Sequence, residues 1–146
     1  MSTKAKILVE VPESLIGSTT ETLWVEKAEG GYRLLNSPFY ARGISYRDVV
    51  RASAVDAEMM RLEEKVSSAG HSTYRLLITD GVDWKERWAE LEALGCSYEE
   101  AHNDGFRLLS VDVPPETNIH TAYTLMEAGE SVGAWTFEEA DVNHPL

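Results

Sequence analysis

The densest run of chemistry-bearing side chains is Gly70-His71-Ser72-Thr73-Tyr74-Arg75. An imidazole, two hydroxyls, a phenol and a guanidinium follow a flexible glycine. Together, His71, Ser72, Tyr74 and Arg75 could bind an anion or orient a small ligand. A turn whose side chains bond the backbone competes with that reading. Neighbours in a strand point to opposite faces, so His71 and Ser72 make a poor nucleophile and base pair. No catalytic residue is assigned.

Other reactive types are scattered. Cys96 follows a helical pattern, where the negative end of the helix dipole disfavours a thiolate, so it reads as a small buried residue. A lone cysteine makes no internal disulfide and no multi-cysteine zinc site. His71, His102, His120 and His144 never pair at i, i+4. Asp141 with His144 is a weak two-ligand metal pattern, so no metal and no cofactor is expected. His102, beside Asn103-Asp104-Gly105, reads as exposed. Glu63-Glu64, Glu99-Glu100 and Glu138-Glu139 are adjacent pairs, which a strand splits between its faces. Glu99 and Glu138 could then form an acidic stripe on an open sheet face. Glu100 and Glu139 share strand parity with Cys96, Tyr98, Trp135 and Phe137. The chain lacks Gly-x-Gly-x-x-Gly, a phosphate-binding loop and Gly-x-Ser-x-Gly.

Charge narrows the partners. Thirteen Lys and Arg oppose 25 Asp and Glu, for a net charge of −12. Residues 1–72 hold nine basic and ten acidic side chains, against four and 15 in residues 73–146. The second half, at −11, repels phosphate backbones and anionic membranes and attracts basic proteins. A solvated acidic surface that aids solubility is the plainer account. At 146 residues and 43% hydrophobic, the composition is globular. No run approaches the roughly 20 apolar residues of a membrane span. The apolar stretch after Met1 is too short for a signal-peptide core, so a reduced, cytoplasmic protein is expected.

The elements that must position these residues fall into two sets. Lys6 to Val11, Thr22 to Lys27, Gly31 to Leu35, Val49 to Val55 and Met59 to Val66 read as strands. Met59 to Val66 also fits a helix, but Asp56-Ala57-Glu58 could turn it back on its predecessor. Such short strands imply a small barrel or curved sheet in residues 1–70. Residues 71–146 then read β-α-β-β-α-β, the ferredoxin-like pattern. Tyr74 to Ile78 leads to a helix with Asp83 as N-cap, Glu86 completing a capping box and Gly95 at its end. Cys96 to Ala101 and Phe106 to Val113 form a hairpin about Asn103-Asp104-Gly105. Thr117 or Asn118 caps a second helix with Ile119, Ala122, Tyr123 and Met126 on one face, ending over Gly129 to Gly133. Trp135 to Ala140 is the last strand. Its third strand lacks the glycine and aromatic series of an RNA-binding sheet, and no nucleic acid is expected.

Several segments carry a resemblance. Glu21-Thr22-Leu23-Trp24-Val25-Glu26, Tyr32 through Phe39, Ile44 through Val50 and Gly70 through Arg75 occur in the order found in domain-of-unknown-function family 4265. The chain resembles this mainly bacterial family, directly over about Glu21 to Arg75 and in pattern beyond. The resemblance implies a bacterial origin and no activity. It draws interest to Trp24, Asn36, Phe39, Asp48, His71, Ser72 and Arg75. Trp24 and Phe39 otherwise read as core, and Asn36 and Asp48 as turn formers.

An α+β fold follows, with a β-rich subdomain in residues 1–70 and a ferredoxin-like subdomain in 71–146. The leading functional expectation is a non-enzymatic factor of inhibitor, immunity or regulatory type that binds a basic protein. The alternative is a small-molecule site or small enzyme at the His71–Arg75 junction. A homodimer is compatible with an uncovered sheet face.

Overall fold

A computed structural model describes residues 4–11, 19–57 and 59–145. Alternation sets the first strand. In β1 (Lys4–Val11), Ile7, Val9 and Val11 are buried while Lys4, Lys6, Leu8 and Glu10 are not. Strands β2 (Thr19–Ala28), β3 (Gly31–Leu34), β4 (Val49–Ala54) and β5 (Met59–Ser67) follow as an antiparallel meander. The first and last of five alternating strands run the same way, so a meander of five can close only by a parallel contact. β1 and β5 pair in parallel and close the barrel. Met59 to Ser67 is a strand, and Asp56 Oδ1 accepts from the Met59 amide at the turn before it. Glu58 of that turn lies outside the described residues. The barrel core joins Ile7, Val9, Leu23, Val25, Leu34 and Val50 to Ala41 and Ile44 from the β3–β4 connection. A Cβ at Gly31 would collide with the Val50 carbonyl oxygen, which is why this hairpin needs a glycine.

Expectation and structure part at Trp24. It is 46% exposed on the barrel exterior, with the Lys6 ammonium 4.9 Å from its ring centroid. β2 turns Glu21, Leu23 and Val25 inward instead.

The second sheet contains β6 (Ser72–Thr79), β7 (Ser97–Asn103), β8 (Phe106–Val113) and β9 (Thr136–Asp141), in the order β7-β8-β6-β9. Every neighbouring pair is antiparallel. Helices α1 (Lys85–Ala93) and α2 (Ile119–Ser131) supply Trp88, Leu91, Ile119, Ala122 and Met126 to the core. They meet Tyr74, Leu76, Ile78, Leu109, Val111 and Val113 of the sheet. The result is a β-rich α+β fold with two sheets and two helices.

One helix end departs from expectation. α1 is capped by Trp84 with no side-chain bond. This leaves Asp83 one residue outside the cap and breaks its spacing to Glu86. α2 ends at Ser131, within the expected Gly129–Gly133 stretch. Gly129 is there for packing: a Cβ would strike the Trp135 indole, whose Nε1 donates to the Met126 carbonyl at 2.9 Å. Asn118 caps α2, accepting from the Thr121 amide at 3.1 Å. Thr117 donates to the Leu94 carbonyl instead. Among the described residues no helix is long and apolar enough to cross a membrane.

Candidate functional site

The side chains of the His71–Arg75 run go to four different places. Ser72 is fully buried, and its Oγ lies 2.6 Å from His144 Nδ1. It also accepts from the Asn143 amide at 2.9 Å. His144 Nε2 donates to the Pro114 carbonyl at 2.8 Å, so Nδ1 is the ring's acceptor and Ser72 donates to it. Both ring nitrogens are thereby used, and His144 has none left for a metal. Tyr74 is buried on the helix side, and burial, with Glu139 nearby, pushes its phenol up to about 12. Thr73 donates to Ser45 at 2.6 Å.

Arg75 points to the other face of the sheet. Its Nη1 donates to the Tyr40 carbonyl at 3.0 Å and its Nη2 to the Ala41 carbonyl. Glu138 lies 3.5 Å from Nη1. Burial lowers the guanidinium pKa, opposed by Glu138 and Glu21. His71 alone is partly open. Its Nδ1 sits 2.8 Å from Asp112 Oδ1, and its ring meets Tyr46 edge-on at 5.4 Å. Burial raises the Asp112 pKa against the pull of His71.

Glu99 and Glu138 do share a face. Register places Glu99, Ser110, Arg75 and Glu138 in one row across the sheet. That face is not open, because the β3–β4 connection of the barrel lies on it. Glu99 accepts from the Asn36 side chain at 3.2 Å and the Ser37 amide at 2.5 Å. Glu138 accepts from Arg42 at 2.8 Å, and Ser110 donates to the Pro38 carbonyl at 2.6 Å. Further along, Lys65 reaches Asp48 at 3.1 Å, Asn143 at 3.0 Å and Asp141 at 3.3 Å. Asp48 is fully buried with Oδ1 unpartnered, and desolvation raises its pKa despite the Ser45 amide and Lys65.

Sequence reasoning missed Glu21. Its carboxylate is turned into the fold and accepts from the amides of Phe39, Tyr40 and Ala41. A glutamate on the inward parity of an otherwise apolar strand face was the available signal. Phe39 is half-buried beside this carboxylate, and Asn36 accepts from the Trp24 amide at 2.8 Å. Asp48 forms its expected turn through the Ser45 amide at 2.8 Å and adds the Lys65 ion pair.

Cys96 is buried, and burial with Asp112 behind it pushes the thiol up to about 12. His102 is exposed and pairs with Asp80 at 2.8 Å. Among the described residues no three His, Cys, Asp or Glu side chains converge as metal ligands.

Two of the concavities among the described residues are lined by several carboxylates. One is a cleft of about 250 Å³ where Leu35, Ser37 and Tyr46 overhang Ser97, Glu99, Ser110 and Asp112. The other is a groove of about 430 Å³ between α2 and β9, lined by Tyr123, Phe137, Glu127, Glu130, Glu138 and Glu139. The Tyr123 and Phe137 rings meet edge-on at 5.4 Å.

The sequence model for the domain of unknown function DUF4265 matches residues 21–137, and the chain belongs to that family. Comparison with curated proteins finds no match. Among solved structures, the fold is similar to the crystal structure of a hypothetical protein from Neisseria gonorrhoeae. The TM-score is 0.80 at 16% identity, over 97% of each chain. At that identity the likeness concerns the fold alone.

Proposed function

We propose that this chain is a non-catalytic binding protein whose acidic C-terminal half engages a basic protein, as an inhibitor, immunity-type or regulatory factor of the bacterial cytoplasm. The observation that carries the reading is the groove between α2 and β9. Glu127 and Glu130 stand in the last turns of α2, where the helix dipole is itself negative and no basic residue is present in the last turn. Glu139 and Glu138 also line the groove, the Glu138 carboxylate being bonded to Arg42 on the barrel side. Among the described residues, Glu138 is the one of these four with cationic partners, Arg42 and Arg75. Such crowding costs stability in the free protein, and a cationic partner would offset that cost. Tyr123 and Phe137 add aromatic surface of the kind on which Lys and Arg side chains pack.

The junction supports the same reading from the other side. A small-molecule site built on His71, Ser72, Tyr74 and Arg75 needs convergent polar atoms. Here Ser72 is spent on His144 and Asn143, His71 faces Asp112, and Arg75 is spent on the barrel carbonyls of Tyr40 and Ala41. We also propose that residues 71–146 form a ferredoxin-like subdomain on a β-rich one of residues 1–70. Supporting this are the β7-β8-β6-β9 order, the antiparallel ladders and the helices placed between β6 and β7 and between β8 and β9.

The test is affinity capture from the source organism at low and high salt, with wild type beside Glu127→Lys/Glu130→Lys. A basic protein held by wild type at low salt, released by high salt and missed by the variant is the expected result. Equal recovery by wild type and variant would remove the groove as the binding surface.

A further inference from the structure

We propose that the cleft between the Leu35–Tyr46 segment and the β7–β8 hairpin binds a small cationic group, a primary ammonium or a guanidinium. This site is separate from the α2–β9 groove and stands whether or not that reading holds.

Register builds its floor. Ser97 pairs with Asp112 and Glu99 with Ser110, so two carboxylates lie diagonally across a two-by-two patch with two serines. Diagonal neighbours on a sheet face are about 7–8 Å apart, a span one ammonium or guanidinium can bridge. The β3–β4 connection fills the opposite half of this face, where Tyr40 and Ala41 engage Arg75. Over β7 and β8 it leaves a hollow walled by Leu35, Ser37 and Tyr46.

Among the described residues the lining contains two carboxylates and no Lys or Arg. That excludes phosphates and carboxylates as ligands and favours a cation. Both carboxylates are held in place by neighbouring groups. Glu99 is fixed by the Asn36 side chain and the Ser37 amide. Asp112, 8% exposed, is held by His71. Among the described residues neither accepts from Lys or Arg, and Glu99 carries the stronger share of the attraction because Asp112 is already faced by His71. The Tyr46 ring already has the Arg47 guanidinium 5.9 Å from its centroid, and its remaining surface could add a cation–π contact. A volume of about 250 Å³ admits one small amine or one basic side chain.

The experiment is an amide NMR titration of the full chain with n-butylammonium and ethylguanidinium, with n-butanol as the neutral control. The expected result is saturable shifts at Tyr46, Ser97, Glu99 and Asp112 with either cation and none with butanol. Glu99→Gln should weaken binding about tenfold, as expected for one charge-assisted contact. Should that variant fold poorly, Tyr46→Ala provides the same loss through the wall. Absence of saturable shifts, or equal shifts with butanol, overturns the proposal. So does unchanged affinity in a folded variant. A capped Gly-Lys-Gly peptide separates the sources. If it binds as tightly as butylammonium, the cation is a partner's side chain; if it binds more weakly, a free small amine.

Discussion

Ser72 Oγ donates to His144 Nδ1 at 2.6 Å, and the ring's far nitrogen is spent on the Pro114 carbonyl. A serine beside a histidine invites a catalytic reading. Here the serine is fully buried and also accepts from the backbone at Asn143. The pair is a clasp that holds the chain's end on the start of β6. Ser72→Ala should therefore cost about 1–3 kcal/mol, as buried polar groups lose their partner. Urea unfolding measures this. A fluorophosphonate probe should leave native Ser72 unlabelled, and labelling would contradict the clasp.

Arg75 does for the two halves what Ser72 does for the terminus. Its forked donors reach the adjacent carbonyls of Tyr40 and Ala41. Arg75→Met should destabilise by about 3 kcal/mol, because two carbonyls lose their donor and Glu138 keeps only Arg42. Arg75→Lys should recover only part of that, since one ammonium cannot reproduce the fork. Full recovery by lysine in thermal unfolding would show that charge alone matters here.

The acidic groove makes a prediction that needs no partner. Glu127→Gln/Glu130→Gln should stabilise the free protein by about 0.5 kcal/mol at low salt, by relieving repulsion at the negative end of α2. The gain should vanish at high salt. A destabilised variant would mean that these carboxylates have a structural role.

Alkaline pH should unfold the protein through its buried thiol and phenol. The Cys96 thiol is raised from 9.0 to about 12 and the Tyr74 phenol from 10.0 to about 12, both mainly by burial. Between those limits the unfolded chain has released protons that the folded chain still holds. Stability is then intact below pH 9 and falls as pH rises toward 12. Cys96→Ala removes the thiol's share, so its stability should fall less steeply between pH 8 and 10.5 in urea titrations. Parallel slopes would show that Cys96 ionises freely in the native state.

Much of the fold follows from periodicity that a single sequence displays. Ile7, Val9 and Val11 alternate, Asp104-Gly105 turns a hairpin, and Asn118 stands three residues before the amide it caps. These signals are local, so adjacent residues suffice to write them. The charge imbalance between the halves is legible for the same reason. Trp24 was misread because strand parity does not say which face is inside. β2 buries the face carrying Glu21, whose carboxylate satisfies three loop amides.

The site belongs to the other category. Ser72 meets His144 across 72 positions, Arg75 meets Tyr40 across 35, and Glu99 meets Ser37 across 62. Such partners are chosen by strand register and by how a barrel loop lies on a sheet, and no spacing along the chain records either. Sequence alone therefore determined which residues could bear charge or bond hydrogen. Tertiary structure decided that His71 to Arg75 stitch the molecule together, and that Glu127, Glu130 and Glu139 line one groove between α2 and β9. The physical reason is that a buried polar group must find a partner wherever the fold supplies one. That demand is met across space, after the local elements have formed.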